Sequence, residues 1–193
     1  HWQKWKDHCR QVSYSSTLNA YFDSPHYSAL CDMGPAAVRP MMERLEEEDL
    51  TQLAAPWSFV WSTITDISLA PEQNPRVREF SIRQWWNEGQ SGTNRRFREM
   101  FAEYQDLKAA GQARAAQKKL KTIRHSLGIA ALIPIMEKLR AGHEELLPLV
   151  DELTDGKAQT SGETPQKRVK SCVRWWQKNK DKWTIPFPDA ATP

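Results

Sequence analysis

One segment of this chain occurs twice, and that duplication constrains the fold more than any other feature. Gly34-Pro-Ala-Ala-Val-Arg-Pro-Met-Met-Glu-Arg-Leu45 aligns with Gly128-Ile-Ala-Ala-Leu-Ile-Pro-Ile-Met-Glu-Lys-Leu139 at an offset of 94. Met33 and Leu127 match just upstream. Further on, Ile64-Thr65-Asp66 aligns with Leu153-Thr154-Asp155 at an offset of 89, and Arg83-Gln-Trp-Trp86 with Val173-Arg-Trp-Trp176 at an offset of 90. The order is helix, helix, Thr-Asp turn, loop and a helix with a tryptophan pair, in both copies. Shared features have structural readings: Gly supplies a turn, small Ala residues let helices approach, and Thr-Asp marks a turn and cap. Pro40 and Pro134 are expected to bend their helices, because proline lacks the N–H and crowds the carbonyl four residues back.

The rest of the chain reads as helix too. No sustained period-two run of β-branched and aromatic residues occurs. Ser24-Pro25, Gly34-Pro35, Ala55-Pro56, Asn74-Pro75 and Thr164-Pro165 place proline in a first helical turn, where the missing N–H has no partner to lose. Helices are expected at about 2–12, 26–33, 35–48, 56–67, 75–88, 94–110, 112–127, 129–141, 143–153 and 165–181. Loops are expected at 68–74 and 155–164. Between 112 and 127, Ala113, Ala116, Leu120, Ile123 and Leu127 fall on one stripe, with Arg114, Lys118 and Lys121 opposite. In the last helix Val169, Cys172, Val173 and Trp176 make one face, and Lys167, Lys170, Arg174 and Lys178 the other. The expected organisation is one helical domain: an N-terminal arm (1–25), a first unit (26–90), intervening basic helices (91–121), a second unit (122–183) and a tail (184–193).

These duplicated segments resemble HEAT-like α-helical repeats, which carry Leu-Gly, then Ala and an aliphatic residue, then Pro and leucines. The segment 143–176, with Leu153-Thr-Asp followed by Trp175-Trp176, is similar to a variant found in bacterial HEAT-like proteins. The resemblance covers about residues 26–90 and 120–183. It implies an all-α protein, as a short solenoid of hairpins or as a compact layered bundle, and a binding surface rather than a catalyst. The chain departs from that pattern in having two clear units and a helix pair between them.

Function narrows next. The net charge of +3 is strongly segregated. Residues 23–72 hold nine acids and two bases, 94–127 nine bases and three acids, and 164–183 seven bases and one acid. Such strips suit electrostatic complementarity with a protein. They also suit phosphates, with Arg114, Lys118, Lys121, Lys167, Lys170, Arg174 and Lys178 as the candidate nucleic-acid contacts. The HEAT-like resemblance adds that DNA glycosylases of this type hold DNA on a concave basic surface. Nine tryptophans argue for a packed chain, since disordered chains are aromatic-poor. Four are the repeat-end pairs. Trp57 and Trp61 share a helix face. Trp2, Trp5 and Trp183 remain as candidate partner-binding anchors, Trp and Tyr being common hot-spot types. The alternative for the first two is an arm folded back to cap the first unit.

Catalytic signals are weak. No His-Glu-x-x-His, Gly-x-Ser-x-Gly or phosphate-loop motif occurs. Glu43 and Glu137 recur in both copies, and paired carboxylates can be an acid/base couple; solvated surface contacts are the favoured reading. Glu46-Glu-Glu-Asp49 reads as a solvated helix end. Cys9, Cys31 and Cys172 are odd in number and lack ligand spacing, so reduced thiols, no metal and no cofactor are expected. No apolar run is long enough to span a bilayer, and the first residues lack the apolar core of a signal peptide. The expectation is a noncatalytic, cytoplasmic protein-interaction or adaptor module, of bacterial type by the resemblance. A DNA- or RNA-binding helical repeat is the alternative, and no membrane partner is expected.

Overall fold

The computed structural model describes residues 1–13, 19–47, 54–68, 74–158 and 162–188. The side chains of Glu46 and Glu47, residues 48 and 49 of the same acidic run, and parts of the two expected loops lie outside what can be described. The protein is all-α, with no strand among the described residues. It divides into two compact units, one of residues 1–65, 69–87 and 185–193, the other of residues 66–68 and 88–184.

The first unit begins with α1 (Trp2–Gln11), a short α2 (Asn19–Phe22) and α3 (Pro25–Asp32). Ser24 caps α3 by accepting the His26 N–H at 3.2 Å, with Pro25 in the first turn. A 3-10 turn (Gly34–Ala37) leads into α4 (Val38–Glu47), then α5 (Ala54–Thr65) and the first part of α6 (Pro75–Ala109). α3 packs on α1 and α5, and the 3-10 turn on α3, α4 and α5. Trp5, Val38, Met42, Leu45, Trp57, Trp61, Ile82, Trp85 and Trp86 form its core. Trp57 and Trp61 point inward together because they are one helical turn apart.

The second unit takes the remainder of α6, α7 (Ala113–Leu127), a 3-10 turn (Gly128–Ala131), α8 (Leu132–Arg140), α9 (Leu147–Leu153) and α10 (Pro165–Trp183). α7 packs on α9, α9 on α8, and α8 on α10. The α7 stripe read from the sequence is buried at Ala116, Leu120, Ile123 and Leu127. Phe97, Phe101, Leu132, Ile135, Met136, Val150, Cys172 and Trp176 complete the core.

The duplicated segments repeat in geometry as well as in sequence. Gly34 and Gly128 have φ of 59° and 52°, a region that side-chain-bearing residues avoid. Asp66 and Asp155 follow α5 and α9 with φ of 55° and 48°. Thr65 and Thr154 each donate Oγ1–H to the carbonyl four residues back, at 2.8 Å in both cases. α6 and α10 both start at proline behind a capping side chain: Asn74 Oδ1 accepts from Arg76 at 2.9 Å, and Thr164 Oγ1 from Lys167 at 3.2 Å. In both tryptophan pairs the ring centroids lie 6.4 Å apart with planes at 36°.

The Thr-Asp turn yields a first prediction. Thr154 is fully buried; its hydroxyl donates to Val150 and accepts the Ala158 N–H at 3.2 Å. Thr154→Val leaves the buried Ala158 N–H without its acceptor, while the Val150 carbonyl keeps the Thr154 N–H at 3.0 Å, so the expected loss is about 1–3 kcal/mol by urea denaturation. A loss below about 0.5 kcal/mol would show that the turn does not depend on this hydroxyl.

The break expected between 88 and 94 is present as a kink at Gly89, which leaves helical geometry (φ 58°, ψ −156°) and separates two helices within α6. The second of them resumes by residue 90 rather than 94. One expectation changes: Pro40 and Pro134 do not bend a helix interior. Each is the third residue of its α-helix, immediately after a 3-10 turn, where no N–H partner is lost.

Candidate binding faces

The three tryptophans left open as anchors have different fates. Trp5 is fully buried in the first unit, and its indole N–H donates to the Tyr21 carbonyl at 3.2 Å. α1 therefore folds back onto α3, and Trp5 is a core residue of the folded unit rather than an exposed anchor. Trp2 is half-buried, 5.5 Å from the Trp5 ring, and lines a groove of about 300 Å³ with Leu30, Met33, Pro40 and Met41. Trp183 is half-buried 5.7 Å from Trp175, with Lys157 Nζ 5.7 Å from its ring centre. An aromatic side chain carries no signal that separates core from surface when it sits near a chain end; only its neighbours decide.

All seven candidate cations are exposed, and all lie on the second unit. Arg114, Lys118 and Lys121 are on α7; Lys167, Lys170, Arg174 and Lys178 are on α10. The two helices are seated on different partners, α7 on α9 and α10 on α8. The basic stretch 94–127 is partly neutralised. Arg96 pairs with Glu88, and Lys119 with Glu103. Lys108 reaches Glu145 at 3.3 Å. Arg124 bridges Asp66 at 2.9 Å and Glu152 at 3.2 Å, and the hydrogen bonds to Asp66 hold its proton more tightly than usual. On α10 the pattern differs. Lys167 meets Glu163 at 2.9 Å, whereas no ion pair engages Lys170, Arg174, Lys178 or Lys182 among the described residues.

One exposed feature went unnoticed in the sequence. On the outer face of α6, Phe80 is 68% and Val77 48% exposed. The signal was in the helical phase. Ile82, Trp85 and Trp86 are buried, and Phe80 lies about 200° around the helix from Ile82.

The recurring carboxylates are surface groups. Glu43 is exposed and pairs with Arg39 at 3.1 Å; Glu137 is exposed beside a cleft that also takes Arg98 and Lys138. A second cleft, of about 360 Å³, collects Glu144, Glu145, Asp151 and Arg168. Burial works against the Glu145 charge, but its backbone hydrogen bond, Gln105 and Lys108 outweigh that and keep the carboxyl below its ordinary range. Among the described residues no cluster of three or more His, Cys, Asp or Glu is placed to hold a metal ion, and no helix is long and apolar enough to cross a membrane. No protein-family model, curated protein or solved structure matches this chain.

Proposed function

We propose that the chain is a noncatalytic, cytoplasmic adaptor module that docks a partner protein on a HEAT-like helical surface. The observation that carries this reading is the Val77–Phe80 pair on α6. Phe80 and Val77 put an exposed aromatic ring and an aliphatic side chain side by side on one helix face, the kind of pair that anchors protein interfaces. Arg76 is exposed on the same turn. The fitting partner is a protein that offers an apolar pocket to Phe80 and a carboxylate to Arg76. The duplicated segments, with their resemblance to HEAT-like repeats, support the reading from the side of the fold, because such helical stacks work as binding surfaces.

The test starts with a photo-crosslinking residue at position 80 in the full chain at native expression. The crosslinked protein is then purified and titrated with wild type and with Phe80→Asp. Position 80 is exposed, so the variant should keep its stability within about 0.5 kcal/mol. Its affinity should fall by about 2 kcal/mol, roughly thirtyfold. Equal affinity of the two proteins would overturn the proposal. So would a crosslink to a second copy of the chain, with self-association that Phe80→Asp abolishes.

A further inference from the structure

We propose that the outer face of α10 binds the phosphodiester backbone of a nucleic-acid duplex. Lys170, Arg174, Lys178 and Lys182 recur every fourth residue and are exposed. With a rise of 1.5 Å per residue they stand about 6 Å apart along a line of about 18 Å. At 100° per residue they stay within an arc of about 120°. A duplex carries one negative charge per ~1.7 Å of axis, so this line faces on the order of ten phosphates. Asp181 is the one carboxylate on the helix.

The duplication supplies an internal control. α6 and α10 share the proline start, the capping side chain and the tryptophan pair at an offset of 90. Val77, Phe80, Gln84 and Glu88 of α6 occupy the positions of Lys167, Lys170, Arg174 and Lys178 of α10. One copy of this helix is thus built without the cations. They are not a requirement of the helix or of its packing, and their periodic placement calls for another cause.

The rest of α10 narrows the polyanion. Its apolar side, Cys172, Trp175 and Trp176, is buried, so it has no free face to insert into a lipid surface. The stripe carries no aromatic platform of the kind that single strands stack on: Trp175 is buried and Trp183 rests against it. Contacts to the duplex backbone, without base readout, remain. This site is independent of the α6 face and of its partner.

The experiment measures anisotropy of labelled duplex DNA and duplex RNA with the full chain at 50 and 200 mM salt. Four phosphate contacts give a slope of about −3.6 in log K against log salt, a fall on the order of a hundredfold over that range. The fourfold variant Lys170→Gln, Arg174→Gln, Lys178→Gln, Lys182→Gln should lose most of that slope and at least about thirtyfold in affinity at 50 mM. An equal-charge control on exposed bases of the first unit, Lys4→Gln, Arg10→Gln, Arg39→Gln, Arg44→Gln, should change affinity by less than about threefold. Far-UV spectra and melting curves confirm that both variants fold. Absence of duplex binding at 50 mM salt overturns the proposal, as does equal weakening by the two variants. Binding of polyglutamate or phosphatidylserine vesicles as tight as that of duplex also overturns it, by assigning the face to an acidic protein or a membrane.

Discussion

Replacing Trp85 with alanine is expected to remove about 3–5 kcal/mol of stability, a large part of what holds a domain of this size together. The side chain is 5% exposed. Trp61 meets it edge-on with ring centres 5.0 Å apart, and Phe187 from the C-terminal segment lies at 4.8 Å. Trp86 is a third neighbour at 6.4 Å. Deleting the indole opens a cavity among rings that are themselves too large to collapse into it, which places the cost at the upper end of core truncations. The Trp85 N–H is buried without a hydrogen-bond partner among the described residues. The loss is therefore one of packing, and Trp85→Phe should recover more than half of it. Denaturant titration of the two variants checks both statements. A cost below about 1 kcal/mol for the alanine variant would show that the cluster is not a keystone of the first unit.

The second large effect concerns the thiols. Burial away from water pushes the Cys9 thiol up to about 12 and Cys172 up to about 11, from an ordinary 9.0. Both are fully buried, and Cys172 Sγ lies 3.9 Å from Met136 Sδ. Cys31 is shifted the same way by burial but is only half-buried. The thiolate is the reactive form, so at pH 8 a disulfide reagent should label Cys31 alone in the native protein, and all three cysteines in denaturant. A stability effect follows from the same shifts. Above about pH 9 the unfolded chain gives up thiol protons that the native chain still holds, so stability falls as pH rises from about 9 through 11. Tyr27 and Tyr104, also raised chiefly by burial, act in the same direction as they titrate above 10. The urea midpoint should drop between pH 8.5 and about pH 10.5, and Cys9→Ala with Cys172→Ala should flatten the drop. A midpoint that holds or rises across that window contradicts the assignment.

How far each side chain could be read depended on the range of the force that places it. Helix starts at Pro25, Pro75 and Pro165 were legible because a cap and a proline act within one turn. The Thr-Asp turns and tryptophan pairs were legible because they recur. Gly89 was legible as the break between two helices, because glycine takes its positive φ without strain; that the second helix resumes before residue 94 was not. The candidate faces divided along the same line. That Lys170, Arg174 and Lys178 are exposed follows from helical phase opposite Cys172 and Trp176. That Arg124 is held in ion pairs while Lys118 is exposed does not, because Asp66 lies 58 residues from Arg124 in the chain.

The sequence by itself determined the helical class, the duplicated unit and the polarity of each helix. These rest on contacts between residues three or four apart and on a pattern present in two copies. Only the tertiary structure decided which aromatic rings are core and which meet water. Trp5 is buried because Tyr21 and α3 close over it, and Phe80 is exposed because nothing in the described residues covers its side of α6. Burial is a property of the neighbours that folding assembles from distant segments, and a residue's own identity does not contain it.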